Sequence, residues 1–287
     1  MFKKNIVITG GTDGIGLALT KQLIDKNQNV FIIGRNESKG NAILNSIKSS
    51  NLEFFQCDLS ELSEVKKILI TLNKIKDIDI LINNAGAIFE KRSLNSDGVE
   101  KTFFLNHLSY FALSTGLVEK LENSNDPRII NVASNAHKRY KIDINDLESK
   151  NNYNGWKAYC RSKLLNIFFT YSFKDKIKTK INSNCLHPGF VNSNFGNNNQ
   201  SFYRFLINIL KNLLAIDTDK AAQSPLNLAL NSEYKDVNGK YFFKLKEKKS
   251  SKESYNVELA NQVWIKSLEY LKWLLILFIF NLLKNIQ

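Results

Sequence analysis

Six short runs rich in Ile, Val, Leu and Phe recur along the chain: "NIVIT" at 5–9, "NVFII" at 29–33, "LEFFQC" at 52–57, "IDILIN" at 78–83, "RIINVA" at 128–133 and "INSNCLH" at 181–187. Segments of helical period lie between them, near 14–26, 38–48, 61–76, 99–121 and 156–175. Strands that are apolar on both faces need cover on both sides, and strands separated by helices join in parallel. The pattern predicts an α/β fold, a doubly wound parallel sheet of Rossmann type with helices on both faces. Such sheets hold ligands outside the carboxyl ends of their strands, so the residues just after each run are the candidates for chemistry.

A chain of 287 residues with 43% hydrophobic content is long enough for one large core. Its polar runs "SNLE", "SNDPR" and "GNNNQS" are the size of loops, and no internal repeat is visible. Residues 1–270 read as a single domain, followed by a hydrophobic tail at 271–287. Cys57, Cys160 and Cys185 are odd in number and widely spaced, which suits neither a disulfide framework nor a metal site and favours a reducing compartment. The net charge of +13 would suit a nucleic acid, a membrane surface or a phosphate-rich cofactor. The lysines are spread rather than striped and are not interleaved with aromatics, which argues against nucleic acid. The opening "MFKKNIVITGG" enters a strand at once, with an apolar run too short for a signal peptide.

The first run leads into "TGGTDGIG" and then a helical segment. Gly10, Gly14 and Gly16 let the backbone approach a pyrophosphate whose charge meets the helix N-terminus, although the same glycines also suit a tight turn. Their spacing is a variant of the general Gly-x-Gly-x-x-Gly fingerprint. After the second run stand Gly34 and Arg35, with no acid to accept from a ribose 2′-hydroxyl. The planar donor fork of Arg35 suits a 2′-phosphate, so NADP(H) is expected over NAD(H); the alternative is a solvated loop arginine. Asp58 follows the third run, placed either to accept from an adenine amino group or simply to stand near a helix start. "NNAG" at 83–86 follows the fourth, where the small Ala85 and Gly86 let the chain pass close to a cofactor.

In "KAYCRSKLLNIFF" Tyr159 precedes Lys163 by four residues, so a phenol and an ammonium share one helix face. That spacing alone is weak, because Tyr153 and Lys157 repeat it. The second pair follows the turn-favouring "SKNNYNG", whereas Tyr159 opens an unbroken run of helix formers. A tyrosine, with an ordinary pKa of about 10, is a poor base near neutrality unless its phenolate is stabilised. Lys163 and the positive charge of an oxidised nicotinamide are expected to supply that stabilisation. Ser134 ends the fifth run, where its hydroxyl would polarise a substrate carbonyl as charge develops on oxygen.

In order along the chain, "TGGTDGIG", "NNAG", Asn106, Ser134 and "YCRSK" resemble the motifs of the short-chain dehydrogenase/reductase family, over about residues 5–270. "NVASNAH", "AYCRSKLLNI", "LHPGFV", "NGKYF" and "LANQVW" look like its retinol dehydrogenase and WW-domain oxidoreductase branch. The resemblance implies a catalytic set of Asn106, Ser134, Tyr159 and Lys163, with Asn106 holding a water beside Lys163. It also implies a cofactor surface that adds Ile15, Leu59, Asn84, Tyr159, Lys163, Pro188, Gly189, Val191 and Ser193. Ala133 and Ser193 depart from the usual serine and threonine, and no membrane anchor precedes the first strand. The implied reaction interconverts a lipophilic alcohol with its aldehyde or ketone, such as a retinoid, steroid or lipid-derived carbonyl; a non-catalytic NADP(H)-binding regulator is the alternative. A homo-oligomer fits the resemblance, and His137 and His187 are expected to be structural rather than metal ligands.

Two apolar stretches lie outside these motifs. "SFYRFLINILKNLLAI" at 201–216 suits either a lid over an apolar substrate or a helix packed on the core. In "LKWLLILFIFNLLKNIQ" the 11 residues between Lys272 and Lys284 reach only about 16 Å as a helix, against a hydrocarbon core of about 30 Å. The tail is therefore expected to lie in a membrane interface on the cytoplasmic side; a partner surface or a final core helix competes with that reading.

Overall fold

All six apolar runs form strands: β1 (Asn5–Thr9), β2 (Asn29–Gly34), β3 (Leu52–Gln56), β4 (Ile80–Asn83), β5 (Arg128–Val132) and β6 (Asn182–His187). The computed structural model describes residues 3–189 and 217–273. Val191, Ser193, the apolar stretch 201–216 and the tail from 274 lie outside the described residues. Two further strands, β7 (Tyr241–Phe243) and the antiparallel β8 (Lys246–Glu247), extend the sheet to the order β3-β2-β1-β4-β5-β6-β7-β8. All pairings from β3 through β7 are parallel.

The two-residue period of each strand divides its side chains between two cores. Ile6, Ile8, Ile80, Ile82 and Ile130 enter one core with Leu19 and Leu23 of helix α1 (Gly14–Asp25). Val7, Leu81 and Ile129 enter the opposite one with Phe111, Leu165 and Phe168. Each fully buried Ile, Leu or Phe contributes about 1.5–3 kcal/mol, so a shift in strand register is strongly disfavoured. After β1 the chain passes first to β2 and β3 on one side and then to β4 on the other, which opens a crevice at the carboxyl ends of β1 and β4.

Helices α2 (Glu37–Ile47), α3 (Leu62–Leu72) and the 22-residue α7 (Gly155–Lys176) match the expected segments. The helix expected over 99–121 is instead divided into α4 (Lys101–Phe103), a π-helical turn at Phe104–Leu108, α5 (Ser109–Gly116) and α6 (Val118–Glu122). In the π turn the Ser109 N–H reaches back five residues to the Phe104 carbonyl. The widened turn leaves carbonyls to be met by side chains: Ser109 Oγ donates to Leu105 O at 2.6 Å, and Asn166 Nδ2 to Asn106 O at 2.8 Å.

Helix α8 (Thr218–Leu230) packs on α1, and α9 (Val257–Tyr270) buries Val263 and Trp264 beside α7. Leu271 is fully buried in the same core and Trp273 packs against it. Among the described residues no helix is long and apolar enough to cross a membrane.

Candidate active site

Thr9, at the end of β1, is fully buried and organises the crevice. Its hydroxyl accepts from Asn84 N at 2.8 Å and Ala85 N at 2.9 Å, while Asn84 Nδ2 returns bonds to Thr9 O at 2.9 Å and Gly10 O at 3.3 Å. The β1 and β4 loops are thereby clamped together. Gly10 has φ +67°, and a Cβ there would sit 3.0 Å from Ala85 Cα. A Cβ on Gly16 would fall 2.0 Å from Gly10 O. The loop is thus closed around atoms only glycine leaves room for, at the N-terminus of α1 and the switch point of the sheet. This cradle fits a dinucleotide pyrophosphate.

Around the cradle, Ile15 is half-buried against the β1 core, and Gly14 is left-handed at φ +52°. Arg35 is exposed just past β2. Nearby, the Lys39 Nζ lies 2.7 Å from Asp13, whose carboxylate caps α1 at Gly14 N. Asp58 Oδ1 accepts from Ser60 N at 2.9 Å and Ser60 Oγ at 2.8 Å, turning the chain toward α3. Leu59 points its side chain into the core, so any cofactor contact it makes is through backbone. Pro188 and Gly189 are half-buried past β6, with Gly189 at φ +101°.

The catalytic candidates converge at the end of β5. Ser134 caps a short 3₁₀ turn (Asn135–Arg139), with its side chain near enough to Tyr159 to lower the phenol's pKa. Lys163 Nζ donates to Val132 O at 2.9 Å and lies 5.6 Å from the centroid of the Tyr159 ring. A Cβ added to Gly86 would sit 3.5 Å from that Nζ and 3.3 Å from Asn106 Oδ1, which places the ammonium against the β4 loop as well. The Asn106 amide is spent on that loop: Oδ1 accepts from Ala87 N and Nδ2 donates to Ala87 O, both at 2.9 Å, with a further bond to Ser162 Oγ at 3.0 Å.

Burial dominates the electrostatics. It pushes the Tyr159 pKa up to about 12, against a lowering from the Ser134 hydrogen bond, and pulls Lys163 down to about 7. Burial thus acts against ionisation of Tyr159, opposite in direction to the stabilisation expected from Lys163 and an oxidised nicotinamide. The apolar wall responsible is built from Ile88, Ala136 and Cys160, with Tyr140 against it and the half-exposed Trp156 stacked on Tyr159 at 5.6 Å.

Tyr153, which shares the four-residue spacing, belongs elsewhere. It precedes α7, and its hydroxyl contacts Phe89 O at 2.8 Å, Thr102 Oγ1 at 3.0 Å and Glu100 Oε1 at 3.2 Å. Thr9, Ser162 and Asn166 escaped sequence reasoning. Thr9 alone carried a usable signal, since it ends the first strand beside the glycines. His187 is buried and stacked on Phe243 at 5.1 Å. Among the described residues no group of three His, Cys, Asp or Glu side chains forms a metal site.

A parallel sheet of this order, with a glycine cradle at its switch point and a Ser–Tyr–Lys cluster on the same rim, defines a nicotinamide dinucleotide oxidoreductase. The family model described as short chain dehydrogenase matches residues 4–203, and the chain belongs to the short-chain dehydrogenase/reductase family. It is 32% identical to human polyprenol dehydrogenase over 276 residues, 92% of this chain and 83% of that protein. It is 33% identical to bovine retinol dehydrogenase 12 over 277 residues, 94% of this chain and 87% of that protein. The fold also matches the crystal structure of an uncharacterised Mycobacterium paratuberculosis protein at TM-score 0.76 and 24% identity, covering 93% and 92% of the two chains.

Proposed function

We propose that the protein is an NADP(H)-dependent reductase of lipophilic aldehydes or ketones, with Tyr159 as proton donor. The observation that carries this reading is the position of Lys163 Nζ, 5.6 Å from the Tyr159 ring centroid and 3.5 Å from where a Gly86 Cβ would stand. One ammonium therefore adjoins both the proton donor and the loop that closes the cofactor cradle.

A dinucleotide held in the cradle would supply the hydride equivalent that reduces the carbonyl. Ser134 Oγ orients and polarises the carbonyl oxygen, and Tyr159 gives that oxygen its proton, so that an aldehyde or ketone leaves as an alcohol. A phenol held protonated by burial is in the correct state for this direction. Negative charge then resides on Tyr159 beside Lys163, whose ammonium stabilises it. Asn106 fixes the loop alongside, and a water next to Lys163 would be reached by the remaining lone pairs of its Oδ1 and backbone carbonyl. Gly10, Gly14, Ile15, Gly16, Asp58, Leu59, Asn84, Ala85, Gly86, Pro188 and Gly189 would line the cofactor, joined by Val191 and Ser193. Arg35 would select its 2′-phosphate.

The apolar wall around Tyr159, together with likeness to proteins named for retinol and polyprenol, supports a lipophilic substrate. A tail that would rest on a membrane surface fits the same substrate class. The test follows NADPH oxidation with a panel of hydrophobic aldehydes and ketones. Tyr159→Phe should lose at least about 100-fold in kcat while still binding NADPH; undiminished turnover refutes the mechanism. Arg35→Ala should raise KM for NADPH far more than for NADH, and equal losses would remove the NADP(H) assignment.

A further inference from the structure

We propose that His137 is a positioning residue for Ser134, holding the serine's backbone through one ring nitrogen while the other ties that turn to the segment at Ser251. The inference rests on the reductase reading, because it assigns a role in aiming that reaction's serine.

The tautomer follows from the partners. Ser251 N lies 3.0 Å from His137 Nε2, and a backbone N–H can only donate. Nε2 is therefore the acceptor, and the proton of the neutral ring resides on Nδ1, which lies 2.6 Å from Ser134 O. The same carbonyl also receives the His137 N–H at 3.1 Å. His137 is fully buried, and burial holds its pKa down to about 4, so the ring stays neutral through the physiological range.

What this fixes is the strand end from which Ser134 projects. Lys163 Nζ holds Val132 O at 2.9 Å, His137 holds Ser134 O, and Tyr241 OH holds Asn135 Oδ1 at 2.9 Å. Within the turn, Ser134 Oγ accepts from Ala136 N at 3.2 Å. With its carbonyl and hydroxyl both seated, the serine has little freedom to swing away from Tyr159. The ring also couples this aim to a segment more than 100 residues downstream.

Two substitutions separate the arms of the ring. In His137→Asn the amide nitrogen occupies the place of Nδ1 and can still donate to Ser134 O, whereas in His137→Gln the polar group reaches the place of Nε2 and that donor is lost. Expected is a kcat loss of about 10- to 100-fold for His137→Gln against at most about threefold for His137→Asn, with KM for NADPH unchanged in both. Equal losses, or an unchanged kcat in His137→Gln, would overturn the proposal. Ser251→Pro provides a second route that leaves His137 in place: φ at Ser251 is −68°, which proline accepts, but the N–H is gone. Freed of that donor, the ring can adopt the other tautomer, and kcat should fall by about 5- to 10-fold; no change counts against the proposal. Imidazole ¹⁵N shifts in the parent protein read the tautomer without turnover. An Nε2-protonated His137 defeats this inference alone, whereas full activity in Tyr159→Phe defeats the reductase mechanism.

Discussion

Replacing Lys163 with methionine should abolish turnover and yet stabilise the protein at neutral and acidic pH. Burial lowers the lysine pKa from its ordinary 10.5 to about 7. At about 1.4 kcal/mol per pH unit, that fall makes the buried ammonium cost ~5 kcal/mol wherever both states are fully protonated, below pH ~7. Methionine of similar length removes this cost, and it also leaves Val132 O without its donor, a loss of ~1–3 kcal/mol. The net expectation at pH 6 is a gain of ~2–4 kcal/mol. The sign reverses with pH: between about 7 and 10.5 the unfolded parent binds more protons than the folded one, so the parent gains stability as pH rises through that window. Above it only the orphaned carbonyl remains, and the variant should be the weaker protein by ~1–3 kcal/mol. Urea unfolding of both proteins at pH 6 and pH 10.5 measures each limb. A variant less stable than the parent at pH 6, or a difference that does not change with pH, would refute the reasoning.

Two further substitutions probe the scaffold. Thr9→Val keeps the shape but leaves the N–H groups of Asn84 and Ala85 without their acceptor, so urea unfolding should show a loss of ~2–4 kcal/mol, while Thr9→Ser recovers most of it. Tyr153→Phe removes a hydroxyl from Phe89 O and Glu100 and should cost ~1–2 kcal/mol in the same assay, with kcat in the carbonyl reductase assay unchanged. A large kcat loss in Tyr153→Phe would mean that the wrong tyrosine has been assigned.

β1, β2 and β4 were legible because each holds three or four consecutive apolar residues, and burial from two sides leaves such runs few alternatives. β7 and β8 carried no such signal: "YFF" and "KE" sit among lysines and polar residues, and only pairing with β6 and with each other makes them strands. The helix expected over 99–121 is present, but interrupted by a π turn and by a break at Leu117. Its apolar period is sound, but Asn106 must bring its amide to Ala87 and its carbonyl to Asn166, and a π turn supplies the rotation that an unbroken α-helix would not.

The same division runs through the site. Gly16, Tyr159 and Lys163 carried a local signal, because their placement depends on neighbours a few residues away, in a tight loop or across one helical turn. The partners that fix this geometry come from far along the chain: Val132 for Lys163 is 31 residues distant, Ala87 for Asn106 is 19, and Asn166 for Asn106 is 60. Spacing thus predicts which groups can meet but not how they are held or charged. The spacing suggested a phenolate stabilised by Lys163 and an oxidised nicotinamide together, but spacing carries no information about burial, which raises the Tyr159 pKa to about 12 and lowers that of Lys163 to about 7.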